Sequence, residues 1–583
     1  MTELSGITLP DYLVVIAYFI LIIFVGYYFS RTIKMAKDYF AAGNIMPWWL
    51  AGTSFFMASF SALLFVIYNE IAYTYGLVAV TICWLSPPTI LIGGYFLAHR
   101  WRRARIMTPV GFIERRYNKG VHQLFVWTGF PLRMIDNALK IFSTAIVITL
   151  ALNNTGITFN RFVFIIGIIM IAYTYLGGQI AVMITDFVQA VIIAVAVTVL
   201  FVLTCLHIDN FGNFVNAVPD GFLAPLGKPY DWSYIVFSMF TLTLLTYSAS
   251  WALVQKYNCV RSEQDARKMV YLIAFLKFIT PPIFFFPGMA ARYILPNLEN
   301  PRYAYAAISL KILPAGLMGF MLAAMFSATM STLGSEYNTL SGVLTRDFYK
   351  KKIKPDASET QEVLIGRIST LIIGVITIGI AILLNAIQGL NLMDIMIRIF
   401  SAFGPPIMIP IITGLLFKYF NARGVAWGMI SGMIVGATLV IINMILVQRF
   451  VSLMEANVRV DFWLRSGWNS AATMITIMTT LLGMWFGTKS LPTPSDEKER
   501  VESFFEDMKK PFEYDKAMDK GRVSPFRIIG LMTLLLGLGM AGIAFLVLGL
   551  YHDSYAFGLD LITGILMIIL GLIMRLGSKQ KGV

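Results

Sequence analysis

The sequence has 583 residues, of which 57% are hydrophobic and 13% are charged, and its formal net charge is +14. Soluble globular chains carry about 25% charged residues. This chain therefore has too little polar surface for a water-soluble globular protein, and its composition predicts a membrane protein.

Apolar stretches of about 20 residues, the length that crosses a bilayer, recur along the whole chain. The first stretch is too long for a signal peptide and lacks a basic segment before it, so we expect a true transmembrane helix there. The pattern predicts an all-α polytopic membrane protein with about fifteen spans, near 9–30, 47–74, 78–99, 121–152, 159–177, 180–206, 233–257, 267–292, 316–345, 364–386, 390–418, 424–447, 464–486, 526–550 and 557–574.

The basic residues divide unevenly between the connections on the two sides of these spans. With the N-terminus outside, 34 of the 46 lysines and arginines fall in cytoplasmic segments, 8 fall outside and 4 lie within spans. Positive charge collects in cytoplasmic loops. We therefore expect a multi-pass protein of the cell membrane with its N-terminus outside and its C-terminus in the cytoplasm. This distribution explains the net charge without a nucleic-acid partner.

Hydroxyl-bearing and small residues cluster in three spans, at 53–62, 241–251 and 327–335. Serine and threonine in such helices usually bond to the carbonyl four residues earlier, which is the plainer interpretation for any single one. Irregular backbone occurs in membranes only where it lines a cavity, and its carbonyls and nearby hydroxyls suit a small hard cation. Three clusters at matched positions favour a binding site.

The matched positions define two blocks of five spans, and because five is odd the second block starts on the opposite side of the membrane. This is the condition for an inverted-topology repeat, which places broken helices and binding sites in its polar first helices. The predicted domains are 1–35 with a first extra helix, 36–260 with the first repeat and the start of the second, 261–423 with the rest of the second, and 424–583 with the C-terminal helices and a cytoplasmic loop at 487–527.

Four motifs follow one another between residues 38 and 350. They read DYFAAG and WW (38–43, 48–49), YTYLGG and TDFVQ (173–178, 185–189), VQKY and RS (254–257, 261–262), and STL, Asn338 and DFYK (331–333, 338, 347–350). In this order they resemble the sodium/solute symporter family, which includes sodium-coupled sugar, proline, iodide and sialic acid transporters. The resemblance implies a LeuT-type five-plus-five inverted repeat with one preceding and about four following helices.

The resemblance also implies a function and an ion site. We expect sodium-coupled symport of a small polar solute by alternating access, with Na⁺ as the coupling ion, no organic cofactor and no enzymatic activity. The sodium site it implies uses backbone carbonyls and two hydroxyls, from Met57, Phe60, Ala328, Ser331 and Thr332.

Some family members bind a second sodium, and the resemblance places a possible second ion site here. Asp186 and Ser335 could supply part of it. Gly334, however, stands where those members carry a hydroxyl. The number of sodium ions per cycle therefore stays open.

The span near 121–152 carries an unusual set of charges. Arg133, Asp136 and Lys140 lie three and four residues apart, on one helix face. Asp136 could pair with one or both bases, or Lys140 could face a cavity and bind an anionic group. The second interpretation favours a sugar acid or organic anion as the solute. The full set of solute-binding candidates is Ser59, Ser61, Lys140, Thr243, Tyr247 and Trp251.

Two further interpretations stay open. A proton-coupled or sodium-independent carrier of the same fold, for a neutral sugar or amino acid, would use Glu70, Asp136 or Asp186, but the Ser331–Thr332 pair argues against it.

The polar loop at 487–527 predicts a short amphipathic helix, either a linker on the inner membrane surface or a regulatory docking site. The expected partners are the solute, sodium and the lipid bilayer; the oligomeric state is not predicted.

Overall fold

The computed structural model describes residues 7–30, 39–40, 42–106, 108–152, 157–227, 229–386, 392–457, 460–461, 463–512 and 525–580. Asp38 and Ala41 of the first motif and residues 513–524 of the polar loop lie outside these ranges. The described chain is helical throughout and has two isolated β-bridges as its only strand pairing. The prediction of an all-α protein is therefore confirmed.

The helices are α1 (Leu9–Ser30), α2 (Trp48–Ala58), α3 (Asn69–Tyr75), α4 (Val78–Trp84), α5 (Ser86–Arg103), α6 (Gly111–Arg116), α7 (Lys119–Ala151), α8 (Phe159–Leu206), α9 (Phe211–Ala217), α10 (Trp232–Ala249), α11 (Trp251–Cys259), α12 (Glu263–Ile294), α13 (Ala304–Ile312), α14 (Leu317–Gly342), α15 (Glu359–Ala386), α16 (Leu392–Leu416), α17 (Ala422–Arg449), α18 (Val451–Ala456), α19 (Trp468–Lys489), α20 (Ser495–Lys509), α21 (Pro525–Tyr551) and α22 (Ser554–Gln580).

The predicted spans all fall on these helices. Within the described ranges, twelve helices are long and apolar enough to cross a bilayer singly, and the bent pair α10 and α11 makes a thirteenth span. The remaining two predicted spans lie on α2 with α3 and on Phe159–Tyr175, the first part of α8. The polytopic membrane architecture is thus confirmed.

The first helix of each five-span block is broken near its middle. Helix α2 ends at Ala58, residues 59–61 are not helical, and the helix resumes before a π-helical turn that begins at Leu64. Helix α10 ends at Ala249, Ser250 adopts extended backbone angles (φ −65°, ψ 130°), and α11 continues at 43° to α10. These are the two positions where an inverted repeat is expected to interrupt its helices.

A glycine separates two predicted spans inside α8. Gly178 has φ 53° and ψ −172°, a backbone conformation that residues other than glycine avoid. The GG pair of the second motif is therefore needed for the chain to leave the first part of α8 and start the second.

Helix α14 forms the centre of the molecule, because each of its residues is buried. It packs against α1, α2, α7, α8 and α15. Its many Gly, Ala, Ser and Thr residues allow close approach of neighbouring backbones, as is common where membrane helices pack. The STL motif thus lies at the centre of the bundle, facing the break after α2.

The predicted amphipathic helix in the polar loop is α20. It buries Val501, Phe504 and Met508 and packs against α5 and α6. Its apolar face is therefore covered by this chain's own helices.

Candidate ion and solute site

The break after α2 brings backbone carbonyls to the middle of α14. The hydroxyl oxygen of Thr332 lies 2.9 Å from the carbonyl oxygen of Ala328, 3.1 Å from that of Phe60 and 3.4 Å from that of Met57. The two carbonyls from the first block lie at the end of α2. That of Met57 also accepts a hydrogen bond from the backbone N–H of Phe60 at 2.9 Å, and a carbonyl oxygen can accept a second bond. Four of the five predicted sodium ligands therefore meet at one point.

The fifth predicted ligand is the neighbouring hydroxyl on α14. Ser331 Oγ is fully buried and makes no hydrogen bond of normal geometry with any described residue. A single hydroxyl proton on Thr332 cannot satisfy three carbonyls and this hydroxyl at once. The surplus of buried oxygen acceptors fits a small hard cation, which unwound carbonyls of this kind coordinate in transporters.

The possible second ion site holds a lysine side chain. Lys256 Nζ donates a hydrogen bond to Ser335 Oγ at 3.0 Å and lies 3.8 Å from Asp186 Oδ2, and all three side chains are fully buried. Ser54 Oγ also donates a hydrogen bond to Asp186. A covalently attached cation therefore lies between the two residues that were expected to contribute to a second ion site.

Gly334 has a steric reason to lack a side chain. A Cβ atom at this position would lie 3.0 Å from the ring of Tyr173, which belongs to the second motif. The hydroxyl that some family members carry here has no room unless that ring moves.

A cavity of about 270 Å³ adjoins the predicted sodium site. Its wall includes Thr332 itself and five of the predicted solute-binding residues, which are Ser59, Ser61, Lys140, Thr243 and Tyr247. The cavity extends from the middle of the bundle towards the starts of α10 and α16. Ion site and cavity thus share the Thr332 side chain and the broken segment after α2.

Trp251 does not line this cavity. Its ring is fully buried, stacks on Phe125 with centroids 5.4 Å apart, and lies 4.9 Å from the guanidinium carbon of Arg133. The Trp251 ring therefore packs behind the cavity wall rather than in it. The prediction that Trp251 contacts the solute does not agree with this position.

The charged groups of the cavity wall form two ion pairs. Lys140 Nζ lies 2.7 Å from Asp136 Oδ2, one helical turn away on α7. Arg133 does not join that pair; its Nη1 donates to both carboxylate oxygens of Glu336, at 3.0 and 3.2 Å. Lys140 therefore faces the cavity, and Asp136 compensates its charge. Each of the two interpretations of this charged helix face is thus correct in part.

A third base in the wall has no acidic partner. Lys277 Nζ, on α12, donates a hydrogen bond to the carbonyl of Ser59 at 3.2 Å and lies 5.2 and 5.8 Å from the rings of Phe56 and Tyr247. No carboxylate within the described ranges forms an ion pair with it. Arg133 and Lys140 are compensated, so the cavity wall carries one net positive charge, on Lys277.

Sequence reasoning assigned no role to Lys277, Glu336 or Lys256. One signal was available, since a charged residue in an apolar span is costly and is usually functional or paired. Lys277 stands in the span near 267–292, and Glu336 follows Thr332 by one turn in the span near 316–345. The partners of these side chains, however, lie in distant parts of the chain.

Comparison with known proteins gives a consistent result. The model of the Sodium:solute symporter family matches residues 39–432. A sodium/sialic acid symporter of Aliivibrio fischeri is 28% identical over 450 residues, covering 72% of this chain and 86% of the relative. A sodium/glucose cotransporter of Vibrio parahaemolyticus is 26% identical, covering 73% and 84%. The human sodium/myo-inositol cotransporter 2 is 26% identical, covering 76% and 71%.

Solved structures share the fold. A sodium-coupled sialic acid symporter in a substrate-bound, outward-open state superimposes with a TM-score of 0.70 at 21% identity, covering 83% of this chain and 98% of that one. A nucleobase-cation-symport-1 family transporter in a closed conformation gives a TM-score of 0.50 at 13% identity, covering 79% and 96%. The LeuT-type architecture that the family resemblance implies is therefore confirmed.

Proposed function

The chain belongs to the sodium:solute symporter family and is a multi-pass, sodium-coupled symporter of a small solute, and we propose that its solute is hydroxylated and carries one negative charge. The observation that supports this solute class is the unpaired ammonium of Lys277 in the cavity wall. The proposed cation site beside the cavity provides the coupling.

We assign the sodium ion to the carbonyls of Met57, Phe60 and Ala328 and the hydroxyls of Ser331 and Thr332. The three carbonyls and the Thr332 hydroxyl converge as neutral oxygens, and partial charges from an unwound turn suffice for a monovalent cation. With sodium bound, the Thr332 proton turns away from the carbonyls, and the ion holds the broken segment of α2 against α14.

The coupling between sodium and solute binding follows from the segment that the ion orders. Ser59 and Ser61 belong to the broken segment, and both line the solute cavity beside Thr332. A sodium ion that orders this segment thereby fixes two polar groups that contact the solute. The solute in turn binds best to the state that sodium favours, which is the reciprocity that linked binding requires.

We propose that one sodium ion is carried per cycle. The supporting observation is Lys256, whose ammonium lies against Ser335 and Asp186. A second sodium there would place two positive charges beside one buried carboxylate. The lysine side chain supplies the compensating charge permanently.

The solute's charge is inferred from the bases of the cavity wall. A lone ammonium in an apolar span is costly, and a bound anionic group compensates it. Sialic acids, which one relative's name gives as its solute, are hydroxylated monocarboxylates and have this character. Glucose and inositol, given in the names of other relatives, are neutral and would leave Lys277 without a counter-charge.

Proton coupling is not favoured by the surroundings of the three candidate carboxylates. Asp136 is paired with Lys140 at 2.7 Å, and Asp186 faces Lys256 at 3.8 Å. Glu70 lies 3.4 Å from Arg302. Each of the three carboxylates thus already has a basic side chain of the protein as its partner.

The direction of transport rests on the charge of the loops. We infer that the N-terminus is outside and the C-terminus is cytoplasmic, from the 34 bases on one side and 8 on the other. In this orientation the cavity extends towards the outer ends of α10 and α16, and the symporter imports its solute.

The experiment is sodium-driven uptake into proteoliposomes, with a matched pair of solutes, gluconate and glucose, and with sialic acid added. We expect uptake of the acids with an inward sodium gradient and none with potassium. Ser331→Ala should raise the sodium concentration for half-maximal uptake by about tenfold or more, because it removes one of five ligands. Ser341→Ala, which removes another buried hydroxyl of α14, should leave it unchanged.

The same assay tests the solute class. Lys277→Met should abolish the preference for gluconate over glucose while the purified protein keeps its stabilisation by sodium. Equal uptake in sodium and potassium would refute the coupling ion, and glucose uptake that Lys277→Met leaves unaltered would refute the acidic solute.

A further inference from the structure

The second base of the cavity wall, Arg133, is held by an acidic side chain of the protein itself. Resting on the proposed function, we infer that Glu336 is a specificity-determining residue, whose carboxylate neutralises Arg133 and so limits the solute to one negative charge. Without Glu336 the same cavity would carry two uncompensated bases, Arg133 and Lys277.

The pair joins two helices in the cavity wall. Arg133 comes from α7 and Glu336 from α14, 203 residues apart in the chain, and both line the cavity. Arg133 Nη1 donates to Glu336 Oε1 at 3.0 Å and to Oε2 at 3.2 Å, and it lies 3.4 Å from Ser250 Oγ in the break between α10 and α11. The guanidinium also lies over the ring of Trp251, at 4.9 Å.

Only one nitrogen of the guanidinium takes part in these hydrogen bonds. The remaining N–H groups of Arg133 donate to no residue in the described part of the chain, and its side chain keeps 10% of its surface accessible in the cavity wall. Arginine can therefore still donate hydrogen bonds to neutral hydroxyl or carbonyl groups of a solute. Its charge, however, is already balanced by Glu336.

This arrangement distinguishes solutes by charge rather than by size. A monoanion places its carboxylate on Lys277 and its hydroxyls against Arg133 and the polar wall. A dianion of similar shape brings a second carboxylate towards Arg133, where it meets the carboxylate of Glu336. Juxtaposed like charges are strongly disfavoured in a water-poor site, and this is a common way to exclude a competing ligand.

The test uses gluconate and glucarate, which differ only in that glucarate has a second carboxylate in place of a hydroxymethyl group. Binding of each is measured by calorimetry on the purified full-length protein in lipid nanodiscs with sodium present. The wild-type protein should bind gluconate more tightly than glucarate. Glu336→Gln, which keeps the shape and removes the charge, should raise the affinity for glucarate relative to gluconate by about tenfold or more, since one additional uncompensated base meets the second carboxylate.

The matched control removes the pair as a unit. The double variant Arg133→Gln with Glu336→Gln restores the single net charge on Lys277, so it should again prefer gluconate. If Glu336→Gln is too unstable to purify, Arg133→Gln replaces it: the carboxylate of Glu336 then has no base, so glucarate should lose more affinity than gluconate.

Each outcome decides the inference. No relative gain of glucarate in Glu336→Gln, whether or not gluconate binds, overturns it, as does equal binding of the two acids by the double variant. If sodium does not stabilise the wild-type protein against thermal unfolding, that result counts against the proposed function instead. A changed glucarate-to-gluconate ratio is not expected of a merely structural ion pair.

Discussion

Two ion pairs inside the bundle join charged side chains from remote parts of the chain. Lys256 faces Asp186, and Arg133 binds Glu336. Burying a single charge is far more costly than burying a satisfied pair, so such partners stabilise the fold together and destabilise it strongly when one is removed. Among the bases of the cavity wall, Lys277 alone has no carboxylate partner within the described residues, and its ammonium therefore indicates a ligand.

The Lys256 pair gives a prediction at this scale. Lys256→Gln leaves the carboxylate of Asp186 buried without its base, so the free energy of unfolding should fall by about 3–5 kcal/mol. The measurement is chemical unfolding in detergent, with Asp186→Asn alongside. The double variant Asp186→Asn with Lys256→Gln should be more stable than either single variant. A strictly additive loss in the double variant would show that the two charges do not interact.

At the scale of elements, α20 shows how a polar loop helix becomes part of the packed structure. Its Phe504 ring packs against Phe112 of α6, with centroids 5.7 Å apart, and Asp507 forms a 2.8 Å ion pair with Arg115. The carboxylate of Glu497 accepts a hydrogen bond from the backbone of Ala422, at the start of α17. The helix therefore joins the first block to the C-terminal helices on the proposed cytoplasmic side.

The docking of α20 can be tested by hydrogen exchange. Phe504→Ala removes the buried ring that is only 3% exposed, at a cost of about 3–5 kcal/mol for a large aromatic side chain. We expect the amides of α20 to exchange much faster, while those of α14 stay protected. Ser503→Ala, on the exposed face of the same helix, should change neither. Unaltered exchange in α20 of the Phe504 variant would mean that this contact does not hold the helix.

At the scale of the whole molecule, the charges carried through one transport cycle follow from the two proposed sites. One sodium ion and one monoanionic solute sum to zero net charge. A membrane potential acts on net charge, at about 2.3 kcal/mol per charge for each 100 mV. The sodium concentration gradient alone would then drive accumulation.

The corresponding prediction is electroneutral transport. Sodium-driven gluconate uptake into proteoliposomes should be the same with and without a potassium diffusion potential set by valinomycin. A clear acceleration by an inside-negative potential would show that net positive charge enters, either as a second sodium or because the solute is neutral. Counting sodium ions by parallel ²²Na⁺ uptake would tell these two cases apart.

The sequence was sufficient for the elements and for part of the site. Apolar run length determines where helices span a membrane, and all fifteen runs lie on helices of the structure. The motifs led to Met57, Phe60, Ala328 and Thr332, which do meet at one point. Their role as sodium ligands stays a prediction until the Ser331 and Ser341 variants are compared.

The sequence by itself thus determined the membrane helices, their two blocks and the clusters of hydroxyls, because helix formation and helix faces depend on residues only three or four positions apart. The tertiary structure alone decided which charges compensate one another. Arg133 bonds to Glu336 rather than to Asp136, Lys256 lies at Asp186, and no carboxylate of the described ranges pairs with Lys277. Electrostatic attraction depends on distance in space, and residues up to 203 positions apart become neighbours only when the helices have packed.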